Sequence, residues 1–169
     1  MTSVSEVTGS RRDRALDIVG LAARLILAVV LLVSGFIKAG NPAETKVAVE
    51  AYQLLPDSIA AVVAAILPYL EIATGVLLLL GLATRLGGIL AGLLMVAFLI
   101  GVGSAAARGL NIDCGCFGGG GQVAAGHTNY TWELLRDVGL LVLAIYLVIR
   151  PTSILSVDRW ASSRSAASA

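Results

Sequence analysis

Long apolar runs alternate with short polar breaks along the chain, and four of these runs approach the length of a bilayer crossing. The first extends from about Asp17 to Lys38 with Arg24 as its one internal charge. The second extends from about Ser58 to Leu80 with Pro68 and Glu71 inside it, and the third from about Leu86 to Ala107. Crossing a hydrocarbon core of roughly 30 Å takes about 20 mostly apolar helical residues, so these three read as transmembrane helices. The fourth, about Trp132 to Ile149, is weaker. Glu133, Arg136 and Asp137 leave only Val138 to Ile149 uninterrupted, a stretch that rises about 18 Å as a helix. Its charged first turns must therefore face the bundle or the lipid headgroups.

The breaks carry their own signals. Gly40-Asn41-Pro42 stops the first helix, because proline cannot continue one and Asn-Pro favours a turn. Ala43 to Asp57 is amphipathic and too short to span, and it predicts an interfacial helix ending at Pro56. Gly81 to Arg85 is a tight turn. Gly88 and Gly92 in the third helix have the small-xxx-small spacing that lets helices approach closely in lipid. From Arg108 to Thr131 the composition shifts to glycine, polar residues and both cysteines. The fold class that follows is all-α: a four-helix transmembrane bundle with an extracytoplasmic Gly/Cys loop between the third and fourth helices. Residues 1–15 are expected to be a disordered cytoplasmic N-terminus, 16–150 the membrane domain, and 151–169 a loose, Ser/Ala-rich cytoplasmic tail. A bundle this small leaves few side chains to enclose a large cavity.

Composition strengthens the membrane reading. Hydrophobic residues make up 57% of the chain and charged ones 14%, against about 25% charged in soluble domains. A net charge of +1 argues against a nucleic-acid partner, which needs a basic face. Arg11, Arg12 and Arg14 precede the first run as they would in an export signal. That run, however, exceeds the roughly 7–15-residue core of such a signal and no small-x-small cleavage site follows it, so it reads as a retained helix. With four crossings both termini share one face. Arg11, Arg12, Arg14, Arg85, Arg150, Arg159 and Arg164 fall on that face, against Lys38, Lys46 and Arg108 on the other. The positive-inside rule then places both termini in the cytoplasm of a multi-pass protein of the cytoplasmic membrane and the cysteine loop outside, where disulfides persist.

The most specific local feature is Asp113-Cys114-Gly115-Cys116-Phe117-Gly118, followed by Gly119, Gly120 and Gly121. Two residues of extended chain span about 6.6–6.8 Å, near the upper limit for disulfide-linked Cα atoms. Cys114 and Cys116 can bond only if the chain bends at Gly115, which has no Cβ to forbid positive φ. A ring that short is strained and suits exchange better than stapling. Inert thiols and a static disulfide are the competing readings. A zinc site needs about four ligands, and only Cys114, Cys116, His127 and Asp113 are at hand, so no metal is assigned. The glycine run lacks the Gly-Lys-Ser/Thr of a phosphate loop, and a lone histidine, His127, argues against haem.

Taken in order, several blocks resemble the MauE branch of the DoxX-like membrane proteins over roughly Arg24 to Ile149. They are Arg24, Ser34-Gly35 and Lys38; Tyr52-Gln53-Leu54-Leu55-Pro56; Glu71 and Gly75; Arg85; and Cys114-Gly115-Cys116-Phe117-Gly118. Arg136-Asp137 stands where an Arg-Asn would fit that pattern. The resemblance implies a four-helix membrane protein associated with extracytoplasmic thiol–disulfide chemistry, beside a thioredoxin-like partner. In methylamine utilisation such proteins are linked to maturation of a disulfide-rich dehydrogenase subunit, and other DoxX relatives to quinone-dependent sulfur oxidation or oxidative-stress complexes.

On this reading Cys114 and Cys116 are the redox pair, with Gly115 as the bend between them. The chain has no other cysteine, so a thiol relay across the bilayer cannot be built, and direct exchange with a membrane quinone is the candidate second route. Arg136 would favour a thiolate or a reduced quinone oxygen, unless it is taken up by Glu133 or Asp137. Arg24 and Glu71, about 10 and 15 Å from the inner boundary, are expected to pair inside the bundle, because charges at membrane depth are costly alone. The alternative function is non-catalytic: an anchor, an assembly factor or a subunit of a larger respiratory or oxidative-stress complex.

Overall fold

In the computed structural model, which describes residues 4–115, 119–124 and 128–151, five helices and one small hairpin follow in the order α1 (Val4–Gly40), α2 (Pro42–Ala51), α3 (Asp57–Leu80), α4 (Thr84–Ala107), β1 (Ile112–Asp113), β2 (Gly121–Gln122) and α5 (Tyr130–Ile149). Three segments are long and apolar enough to cross a membrane: Arg14–Gly40, Asp57–Leu80 and Thr84–Ala107. They carry the first three expected crossings. The 20 residues of α5 reach about 30 Å, but Glu133, Arg136 and Asp137 crowd its first two turns.

Capping chemistry sets most of the boundaries. Pro42 opens α2 at a position where its missing N–H costs nothing. Gly81 closes α3 in the left-handed region at φ 65°, its N–H reaching back to the Leu77 and Leu78 carbonyls. Two boundaries differ from the sequence reading. The first helix begins at Val4 rather than near Asp17, since nothing in the arginine-bearing leader breaks a helix. The interfacial helix ends at Ala51 rather than Pro56, because Gln53 takes φ 50° and turns the chain. The β1–β2 hairpin was not expected from the sequence at all; it pairs Ile112 with Gln122 and Asp113 with Gly121, antiparallel.

Helix α1 lies along α3, α4 along α5, and α1–α5 and α3–α4 contacts close the packing. Glycines set the close approaches. A Cβ on Gly35 would come within 2.9 Å of the Pro68 carbonyl, and one on Gly75 within 2.8 Å of Leu32, so α1 and α3 nearly touch. Gly88 performs the same service between α4 and α5, facing the Ala144 carbonyl and Leu147 at 3.3 Å, as its spacing with Gly92 had suggested. Leu27, Leu31, Leu78, Met95, Leu140 and Leu147 fill the shared core. Phe36, Ile66, Leu93, Ile100 and Val142 point outward. An apolar surface that extensive is a liability in water and fits lipid.

Candidate functional site

The cysteine loop emerges from the hairpin and rests on α2. Gly115 adopts φ 67° and Gly120 φ 106°, a region that penalises a side chain. Both also press against Ala48 of α2: an added Cβ would meet the Ala48 methyl at 2.9 Å from Gly115 and 2.5 Å from Gly120. Gly115 therefore holds a conformation unfavourable to a side chain, and the contact with Ala48 excludes one as well. Tyr52, just past α2, donates its hydroxyl to the Cys114 carbonyl at 3.1 Å. Arg108 at the end of α4 donates to the Tyr52 and Gln53 carbonyls, holding the end of α2 where Tyr52 can reach. Tyr130 donates to the Leu110 carbonyl and so joins α5 to the segment before β1. Cys116, Phe117 and Gly118, His127, and the tail beyond Pro151 lie outside the described residues, so the geometry of the Cys114–Cys116 pair does too.

Glu133 reaches up from the first turn of α5 to this loop. Its carboxylate, the Asp113 carboxylate and the Cys114 sulfur lie within 4.8 Å of one another. Glu133 accepts hydrogen bonds from both the thiol and the backbone N–H of Cys114, and its Oε2 is buried with no hydrogen-bond partner among the described residues. One thiol and two carboxylates are one donor short of a closed four-ligand zinc site.

Below the loop lies a buried polar cluster. Lys38 Nζ donates to Glu71 Oε1 at 2.5 Å and to Ser34 Oγ at 2.8 Å, and stands 5.0 Å from the centroid of the Phe98 ring. Glu71 is fully buried and Lys38 is 7% exposed. Arg136 donates to Asp137 Oδ1 at 2.8–2.9 Å, and a small cavity lined by Ser34, Glu71, Arg136 and Asp137 joins the two pairs. Two cations thus meet two carboxylates, the arrangement that makes charge at membrane depth tolerable.

This corrects the expected Arg24–Glu71 pair. The Gly35 contact places residue 35 of α1 level with Pro68 and Glu71. Arg24, eleven residues earlier in the same helix, is about 16 Å further along the axis. It is buried towards the opposite end of α1, and Glu71 is met by Lys38 and Ser34 instead.

A larger apolar cavity of about 210 Å³ opens between α1, α2, α3, α4 and the cysteine loop. Lys38, Tyr52, Leu67, Phe98 and Cys114 line it, and Leu54 and Leu55 form part of its exposed lining. The helices alone do not enclose it; α2 and the loop complete its walls, which is why the four-helix pattern gave no sign of it.

A model of the methylamine utilisation protein MauE family matches residues 16–150 of this sequence. The chain belongs to the MauE family. Searches of curated proteins and of solved structures returned no match. Family membership agrees with the order of blocks from Arg24 to the cysteine loop, and it covers α2, the hairpin and α5 as well as the three apolar helices.

Three residues of the site carry more than their sequence pattern suggested. Lys38 stands at the end of the first helix and counts in the sequence only towards the charge of the outer face, although its i, i+4 spacing from Ser34 places both on one helical face. Arg136 had Glu133 and Asp137 as candidate partners, and it takes Asp137, which leaves Glu133 to face Cys114. Tyr52 stood in a recognisable block, but nothing local to it points to a carbonyl 62 residues away.

Proposed function

We propose that this protein is a four-helix component of the cytoplasmic membrane, both termini inside, that supports extracytoplasmic thiol–disulfide exchange. Cys114 and Cys116 are the redox pair, a thioredoxin-like protein is the soluble partner, and a membrane quinone is the lipophilic one. The observation that carries the reading is the seat of Cys114: a glycine-bent loop held over an apolar cavity that Lys38 also lines. Thiol exchange needs an accessible sulfur with a mobile proton. A quinone ring needs an apolar slot with a donor for its carbonyl oxygen, and Lys38 stands where Arg136 had been expected to serve. In the oxidising direction two electrons and two protons leave the dithiol for the quinone, giving a disulfide and a quinol. The buried charge cluster tunes the donor side and orients the helices.

Exchange passes through a mixed disulfide, so removing the resolving thiol traps the partner. Cys114→Ser and Cys116→Ser are each expressed in the native host, and non-reducing gels are probed for the protein. One variant is expected to carry a reductant-sensitive covalent adduct, and the double variant none. If neither single variant traps a partner and the wild-type pair is inert to dithiols, the exchange reading fails. The protein is then better described as an anchor, an assembly factor or a subunit of a larger complex.

A further inference from the structure

Glu133 has no task in the exchange as written above, yet it is the carboxylate of α5 that meets the sulfur. It accepts a hydrogen bond from the Cys114 thiol, and its second oxygen is buried with no hydrogen-bond partner among the described residues. A carboxylate in hydrogen-bond contact with a thiol is placed to take its proton. The thiolate, not the thiol, is the nucleophile. Resting on the exchange reading above, we infer that Glu133 is the proton acceptor that turns the Cys114 thiol into the attacking thiolate.

The step balances. The S–H bond breaks, a carboxyl O–H bond forms on Glu133, and the sulfur keeps the electron pair. In the direction that reduces the partner, that pair forms the bond to one sulfur of the partner's disulfide, whose S–S bond breaks and releases the other sulfur as a thiolate. Proton transfer within the Cys114–Glu133 pair leaves the charge of the pair unchanged. This matters because Asp113 of β1 lies within the same 4.8 Å cluster, and a thiolate formed by losing its proton to water would add a third negative charge to those of the two carboxylates. Arg136, one turn further along α5, acts on Glu133 electrostatically. Lys38 of α1 lines the cavity that Cys114 also lines, with its ammonium bonded to Glu71 and Ser34. Tyr52, beyond α2, contributes only its hydroxyl, already given to the Cys114 carbonyl. The hairpin strand β2 brings no titratable group.

The full-length chain with Cys116→Ser retains Cys114 as its one cysteine. In lipid nanodiscs its rate of alkylation by iodoacetamide is followed across the pH range by mass spectrometry. A thiol and a carboxylate that share one proton titrate as a pair, so the rate should rise in two steps separated by a plateau. Adding Glu133→Gln should leave a single step at higher pH, with alkylation about 10-fold slower below neutral pH as the thiolate fraction falls. Above the second step the Gln variant should react as fast or faster, since the repelling carboxylate is gone. Glu133→Asp keeps the acid and should keep two steps; it decides the matter if the Gln variant melts early. A single step in the parent, or a Gln variant faster at every pH, overturns the proposal, because the carboxylate then acts by repulsion alone. Alkylation needs no partner protein, so this result and the partner-trapping result can fail independently.

Discussion

Replacing Lys38 by methionine removes the ammonium from a fully buried Glu71 while keeping the length of the side chain. Glu71 would be left with Ser34 Oγ, at 3.3 and 3.4 Å from its two oxygens, as its side-chain donor among the described residues. Breaking a buried pair by deleting one partner costs about 3–5 kcal/mol, because the remaining charge is uncompensated. Neutralising both sides costs far less, and hydrophobic or neutral replacements of a buried pair can approach the original stability. Lys38→Met alone should therefore destabilise strongly, Glu71→Gln alone somewhat less, and the double variant should recover most of the loss. The double-mutant cycle, read from unfolding of the purified protein in detergent, should give a coupling of about 2 kcal/mol or more, within the range seen for contacting residues. The same cycle with Arg24→Met in place of Lys38→Met should be additive within about 0.5 kcal/mol, as expected for sites well separated along the helices. Strong Arg24–Glu71 coupling with an additive Lys38–Glu71 cycle would refute the α1–α3 register described here.

Two further outcomes test the loop and its orientation. An impermeant maleimide added to intact cells after mild reduction should label Cys114 or Cys116; labelling only after the membrane is broken would reverse the topology. Gly120→Ala should destabilise the loop by about 1–3 kcal/mol, the usual cost of a strained backbone position, since the new methyl meets Ala48 at 2.5 Å and φ is 106°. Faster proteolysis at the loop than in wild type would show it, and wild-type resistance would contradict the packing on α2.

The sequence made the helices legible because apolar runs of bilayer length have few other readings, and Gly88 and Gly92 announced a seam that α4 and α5 do form. Partners across helices were less legible. Depth counted from run boundaries put Arg24 and Glu71 within reach of each other, but the register of α1 on α3 is fixed by shape, where Gly35 meets Pro68 and Gly75 meets Leu32. That fit places Glu71 a turn from the end of α1, beside Lys38. The hairpin escaped notice because two-residue strands have no alternation to read. The cavity escaped because its walls come from five separate segments.

The charges that make α5 a poor apolar helix have a common geometry. Glu133, Arg136 and Asp137 are spaced i, i+3 and i+4, so all three project from one face of the helix. That face turns away from lipid: Asp137 is 1% exposed, whereas Trp132, Leu135, Val138 and Val142 on the other sides are 47–64% exposed. At its upper end the charged face meets Cys114 through Glu133. One turn lower it meets the Ser34–Lys38–Glu71 cluster through Arg136 and Asp137 around a shared cavity. Lys38 in turn lines the apolar cavity in which Cys114 is seated. Two short routes of contact thus lead from the sulfur to the buried carboxylates, one along α5 and one across the cavity. Moving these three residues to a lipid-facing side of α5 would make the helix no less charged but would break both routes. Their placement, rather than their number, is what makes the fourth helix part of the site.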